Sequence, residues 1–206
     1  EQYRAVYELD PDNTDALQAL ERLYRQTERF QDLLEVYQKQ RDLATEPEQQ
    51  CRVLYGIAEL YEGELSDAEN AVATYWQVLD VEPTDGRALE ALDRLYLAQE
   101  QWEPYAGVLR RRLEIDVTEE QLIDLKYRLG NTLQQHLGDA AGALDNYREI
   151  LFVDPNNELA RSALEGMIDH PELKAEVARI LAEVYEGRDE WDKLIGALSV
   201  LVDSED

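Results

Sequence analysis

The sequence predicts an all-α solenoid of stacked antiparallel helix hairpins, and three observations carry that reading. Residue identities recur with a fixed step: Tyr3, Tyr75 and Tyr147 are 72 positions apart, as are Pro11, Pro83 and Pro155, then Ala16, Ala88 and Ala160, and Leu20, Leu92 and Leu164. Half of that step separates Pro11, Pro47 and Pro83, and a unit of about 36 residues is the length of two four-turn helices with their turns. The segments between the prolines carry helical rather than alternating apolar spacing, so each pair of helices buries itself only against its neighbours.

Taken in order, the first residues hold the aromatic position of a second helix at Tyr3. After Pro11, the residues Ala16, Leu17, Ala19, Leu20, Leu23 and Tyr24 form one apolar face of a helix, and Phe30, Leu33, Leu34 and Tyr37 repeat the pattern on the next. After Pro47 the apolar set widens, with Cys51, Leu54, Tyr55, Ala58 and Tyr61 on one side and Val53, Ile57 and Leu60 on another. A helix apolar on two sides is sandwiched between neighbours. Between 3–30 and 75–102 eleven of 28 aligned positions are identical, and Phe30 is matched by Trp102, which places the following helices in the same phase. All six prolines fall between periodic segments or in a first helical turn, where the missing N–H costs least. Helix formers fill the segments and no period-two alternation is present. The third copy is irregular. Ala160 to Met167 follow the pattern, and the text resumes after Pro171 with Ala182-Glu183-Val184-Tyr185-Glu186-Gly187, parallel to Ala58–Gly63 at an offset of 124. Since 124 is two steps less twenty residues, one helix is expected to be missing, with a short helix near Glu158–Asp169 broken before Pro171.

Gly130, Ala143, Tyr147 and Pro155, with Leu137-Gly138-Asp139-Ala140-Ala141 between them, resemble the small, small, aromatic and proline signature of a tetratricopeptide repeat, one residue longer in the turn. Ala58, Ala71, Tyr75 and Pro83 repeat the signature one period earlier. The resemblance spans the chain and implies a right-handed superhelix of about 11–12 helices. It is weakest in the helices near Asn13 and Thr84, where Glu21 and Asp93 stand at the usual small position and Arg22 and Arg94 one place beyond. The expected organisation is a single array of 72-residue double hairpins near 3–74 and 75–146 with a shortened unit over 147–206. Neither end reads as a polar cap, so the chain is expected to be a segment of a longer repeat protein.

Composition narrows the function. With 46 acidic against 20 basic residues the formal charge is −26, which repels nucleic-acid phosphates and anionic head groups; nucleic acid is not an expected partner. A basic protein surface, a cation or plain solubility remain. Sixteen of the basic residues are Arg, a bias expected from a GC-rich, bacterial genome. Cys51 is the lone cysteine, which excludes an intrachain disulfide and a thiolate cluster. No apolar run reaches the ~18 residues of a membrane span, so a soluble chain without membrane insertion is expected; the compartment stays open, the cytoplasm slightly favoured.

The constellations read as structure. Asp10, Asp12, Thr14 and Glu21 outline a calcium loop, yet Asp15 stands where the sharp turn needs Gly, and capping of the next helix explains these residues better. His136 and His170 have no companion ligands, and carboxylates are too numerous for an acid/base pair to be inferred from spacing. There is no phosphate-binding glycine loop or nucleophile turn. No cofactor, metal or catalysis is expected. Cys51 matches Ile123 one step on and reads as a packed residue, and most of the three Trp and twelve Tyr read as core.

The resemblance projects a row of protein-binding candidates along the inner face of the first helices: Gln18, Arg22 and Arg25; Tyr55, Glu59 and Glu62; Glu90 and Arg94; Tyr127, Asn131 and Gln134. Inter-helix ion pairs are the competing explanation for the alternation of Arg22, Glu59 and Arg94. The carboxylate clamp of chaperone-binding relatives is not reproduced, because Tyr127 stands where its first Lys should precede Asn131. The expected function is a non-catalytic protein-interaction scaffold whose acidic concave face takes a protein or peptide with basic character. The alternative is a structural subunit stacking end to end with further copies.

Overall fold

In the computed structural model, residues 2–205 are described, and they form twelve α-helices and one π-helical turn without a strand among them. The chain divides into two compact units, Glu1–Gln99 and Glu100–Asp206. The first holds α1 (Gln2–Leu9), α2 (Thr14–Gln26), α3 (Phe30–Leu43), α4 (Pro47–Glu62), α5 (Ala68–Val81) and α6 (Gly86–Ala98), and α1 to α5 each pack on the helix that follows. The second holds α7 (Trp102–Leu113), α8 (Glu119–Thr132) with a π-helical extension (Leu133–Leu137), α9 (Ala140–Val153), α10 (Glu158–Glu165), α11 (Lys174–Gly187) and α12 (Trp191–Glu205). Within each unit the packing runs from neighbour to neighbour, which is the solenoid arrangement that the 72-residue step demands.

The repeat extends to the capping chemistry. Asn13, Asp85 and Asn157, spaced by the same step, each accept from the backbone N–H three residues on, at 2.9, 2.9 and 3.0 Å. Asp67 and Asp139 do the same for α5 and α9 at 3.1 and 2.8 Å. The Asn or Asp two residues after Pro11, Pro83 and Pro155 is thus a helix cap. Pro47 opens α4 and Pro104 lies in the first turn of α7, so no proline interrupts a helix.

Two turn types alternate. The longer places Ser66 (φ 51°) and Gly138 (φ 68°) in the left-handed region just before the capping Asp67 and Asp139. The shorter places Glu28, Glu100 and Asp189 there, with φ of 56°, 54° and 57°. Each of these acidic residues follows a buried Tyr (24, 96, 185) by four positions and precedes an aromatic (Phe30, Trp102, Trp191) by two.

The third copy carries that signature too. The turn between α11 and α12 is of the short type, as after α2 and α6, and lies 89 residues beyond Glu100's turn rather than 72. The short turn with its flanking Tyr185 and Trp191 repeats those of α2–α3 and α6–α7, while the apolar face of α11 also matches Ala58–Gly63. α10 keeps the cap and the buried Ala and Leu positions of α2 and α6 at the 72-residue step, but it is only eight residues long and is followed by turns through His170 and Pro171. Arg161, Arg188 and Lys193 tie it to α11 and α12 through Glu158, Glu165 and Glu190.

Close helix approach is visible at two glycines. A Cβ on Gly130 would stand 2.8 Å from the Tyr147 ring of α9, and one on Gly56 would stand 2.8 Å from the Tyr37 ring of α3. Eight of the twelve tyrosines are buried, as expected of core residues. The tryptophans differ. Trp76 and Trp102 are half-buried, Trp76 donating to the Tyr96 hydroxyl at 2.8 Å, and Trp191 is exposed.

Candidate interaction face

In the first unit α2, α3 and α4 line a groove of about 810 Å³, closed at one end by Arg87 from the first turn of α6. Gln18, Arg25, Tyr55 and Glu59 of the predicted row line it together, and Leu17 and Val53 contribute an apolar floor. A second, smaller depression shares Glu59 and Arg87 with the first and brings in Glu62, Glu90 and Arg94. Arg22 lies exposed outside both. Tyr127, Asn131 and Gln134 belong to the second unit. There Tyr127 is tilted against Tyr147 at 6.1 Å, Gln134 accepts from the Tyr147 hydroxyl at 3.1 Å, and Asn131 is exposed.

At one end of the groove the Tyr37 hydroxyl is a hub. Arg25 donates to it, and it donates to Glu21 at 3.4 Å, while the Gln40 amide donates to the other Glu21 oxygen at 3.0 Å. Burial, followed by the Glu21 charge, pushes the phenol above its ordinary range. At the other end Tyr55 is nearly buried, its hydroxyl donating to the capping carboxylate of Asp85, and the Arg87 guanidinium lies 4.0 Å over its ring. Burial and then that hydrogen bond raise its pKa as well. The Tyr55 hydroxyl is therefore engaged by Asp85 and its ring covered by Arg87, which helical projection does not reveal.

Ion pairs occupy the rim. Arg87 pairs with Glu59, and Arg94 with Glu62, which also accepts from Tyr75 at 3.2 Å. The Arg94 hydrogen bond holds Glu62 below the usual carboxylate range despite its partial burial. These pairs link the first helices of successive hairpins, the mundane arrangement the charge alternation also allowed, and at exposed sites each contributes roughly 0–1 kcal/mol. Arg52, by contrast, is exposed in the groove wall with no ion-pair partner among the described residues. The lining holds Arg25, Arg52 and Arg87 against Glu21 and Glu59, so the groove of this acidic chain is charge-balanced with a slight positive excess. Arg87, Tyr37 and Glu21 were not part of the predicted row. Arg87 precedes Glu90 by three residues and shares its face, which is the one signal that pointed to it.

Cys51 is half-buried, and burial pushes its thiol up, in keeping with a packed residue. His136 is stacked on Trp102 with ring centroids 3.6 Å apart, and His170 sits in a turn. No group of three or more metal-binding side chains occurs among the described residues.

The Tetratricopeptide repeat family model matches residues 16–50, which run from α2 across α3 into α4, the helices that build the groove. The chain is a tetratricopeptide-repeat-like helical repeat protein. Among solved structures it is similar to human IFIT1, as a dimer with PPP-AAAA, at 14% identity and a TM-score of 0.51, covering 93% of this chain and 47% of that one. A monomeric IFIT1 mutant with Gppp-AAAA gives 12% identity and a TM-score of 0.50, covering 91% and 46%. The crystal structure of MamA gives 13% identity and a TM-score of 0.45, covering 93% and 91%. At these identities the likeness concerns the fold. No curated protein matches the chain in sequence. No helix in the described part of the repeat array is long and apolar enough to cross a membrane.

Proposed function

We propose that this repeat array is a non-catalytic scaffold that binds a partner protein or peptide in the groove of α2, α3 and α4. The observation that carries the reading is the convergence of Gln18, Arg25, Tyr55 and Glu59 on one open groove built from rigid helices, where an extended segment finds amide, cationic and apolar contacts side by side. Helices fixed by packing present such groups without an ordering cost at binding.

Two electrostatic scales act together. The net charge of −26 steers basic proteins toward the molecule and repels polyanions at long range. The groove, being balanced, reads contacts at short range. Binding by a basic partner then slows in high salt through its association rate, whereas Gln18→Ala/Tyr55→Ala, which removes amide and apolar contacts without changing the charge, accelerates dissociation. Surface plasmon resonance on a partner recovered with the immobilised chain separates the two effects. A partner retained equally by wild type and Gln18→Ala/Tyr55→Ala, at any salt, refutes the groove assignment. The second reading is end-to-end self-association, favoured by the exposed Tyr3, Val6 and Leu9 along α1; it requires light scattering to grow with protein concentration.

A further inference from the structure

We propose that the second unit holds a site for an arginine side chain of a partner protein, built on the ring of Tyr127 with Asp124 and Leu159. It is distinct from the groove of α2, α3 and α4, and the first unit supplies its template. There the Arg87 guanidinium lies 4.0 Å over the Tyr55 ring, and the Tyr55 hydroxyl donates to Asp85.

The second unit repeats this layout at the 72-residue step. Tyr127 leans on Tyr147 at 6.1 Å, as Tyr55 does on Tyr75 at 6.1 Å. The Tyr147 hydroxyl donates to Gln134 at 3.1 Å, as that of Tyr75 donates to Glu62 at 3.2 Å. Asn157 caps α10 at 3.0 Å, as Asp85 caps α6 at 2.9 Å. Within this preserved frame the groups that cover Tyr55 are exchanged: Leu159 stands at the place of Arg87, Asn131 at that of Glu59 and Asp124 at that of Arg52. Leu159 is 59% exposed and brings no cation to the ring. The Asn157 side chain is taken up by the Ala160 N–H and by Asp154, and the Tyr127 hydroxyl has no hydrogen-bond partner among the described residues. Tyr127 is half-buried where Tyr55 is nearly buried. Leu159 lies between α9 and α11, so the ring is open because of the residue type at that place.

The exchanges decide the occupant. An aromatic face attracts a cation, and a guanidinium stacks flat on it as Arg87 does. Two arginines are gone from the surroundings and a carboxylate has come in, so an arriving arginine meets less like charge than it would at Tyr55. Asp124 lies three residues before Tyr127 on α8 and shares its face. It is largely exposed, 3.4 Å from Arg128, a guanidinium that also donates to the Tyr105 hydroxyl at 2.6 and 3.0 Å. Leu159 offers apolar surface to the methylene stem of the incoming side chain.

The test follows the tyrosine ring signals of the whole chain, labelled with 13C-tyrosine, by nuclear magnetic resonance during titration with acetyl-Gly-Arg-Gly-amide at physiological salt. The Tyr127 signal, identified by its loss in Tyr127→Phe, is expected to shift and saturate. The lysine peptide binds about threefold more weakly, and the norleucine peptide leaves the signal in place. Leu159→Arg/Asn131→Glu rebuilds the cover of Tyr55 on Tyr127 and abolishes the response. Asp124→Asn, an exposed change that serves if the double variant fails to fold, weakens binding by about threefold. Tyr55, already covered by Arg87, stays unmoved. A Tyr127 signal that does not saturate, that shifts equally with norleucine, or that responds undiminished in the folded variants overturns the proposal. So does a shift of Tyr55 with Tyr127 unmoved, which places the arginine in the groove of the first unit.

Discussion

Substituting Gly130 by alanine tests the close helix approach on which the hairpin signature depends. The added Cβ would lie 2.8 Å from Cε1, 3.1 Å from Cζ and 3.2 Å from Cδ1 of Tyr147, where carbon atoms in ordinary contact stay about 3.5–4.0 Å apart. The ring has little room to retreat. It is fully buried, its hydroxyl donates to Gln134 at 3.1 Å, and Tyr127 leans on it. Forcing a methyl into such a site costs about 1–3 kcal/mol, and the gain from removing a helical glycine returns roughly 0.5–1 kcal/mol. The net expectation is a loss of about 1–2 kcal/mol, read as a lower urea midpoint in far-ultraviolet circular dichroism with an unchanged slope. Gly196→Ala in α12 is the control: no atom lies within 4 Å of its ideal Cβ, so only the propensity gain of about 0.5–1 kcal/mol remains. Combining Gly130→Ala with Tyr147→Leu removes the obstructing ring atoms, and the glycine substitution then costs far less than in wild type. If Gly130→Ala alone is as stable as wild type, the close approach does not govern the packing of α8 on α9.

Other expectations follow from the turns, caps and titrating groups. Glu28→Gly and Asp189→Gly relieve left-handed backbone at φ 56° and 57° and stabilise by about 0.5–1 kcal/mol, seen as raised urea midpoints; Gly138→Ala at φ 68° moves the other way. Asp85→Ala removes both the cap of α6 and the acceptor of the Tyr55 hydroxyl and destabilises by about 1–2 kcal/mol, whereas Asp85→Asn keeps most of that stability. Burial, and for Tyr75 the neighbouring Glu62, pushes the Tyr75 and Tyr147 phenols up to about 12 from 10.0. Their contribution is therefore complete below pH 10.0 and lost as pH rises toward 12, and tyrosinate absorbance should appear together with the loss of helix. At the acid end Glu62, held below 4.5 by Arg94, contributes stability above that pH and loses it below; Glu62→Gln should flatten this part of the pH dependence of the urea midpoint.

The lining of the groove was legible only in part. The projected row found Gln18, Arg25, Tyr55 and Glu59, because residues three and four apart on one helix share a face whatever surrounds it. It missed Tyr37, Glu21 and Arg87, whose presence in the groove depends on how neighbouring helices are rotated and how closely they cross. The expected acidity failed to appear in the groove for the same reason: net charge is a sum over the chain, and the sum does not say where Arg52 is left unpaired.

What the sequence determined by itself was the solenoid of helix pairs, the capping of the helix after Pro11, and the irregularity after Pro155. All rest on short-range periodicity or on bonds between residues three or four apart. Only the tertiary structure decided that α10 stops after eight residues, that the Tyr37 hydroxyl joins Arg25 to Glu21, and that Glu59 and Glu62 are matched by Arg87 and Arg94. Those outcomes depend on which distant side chains meet once the hairpins stack, and a contact across about thirty residues leaves no local mark in the order of the amino acids.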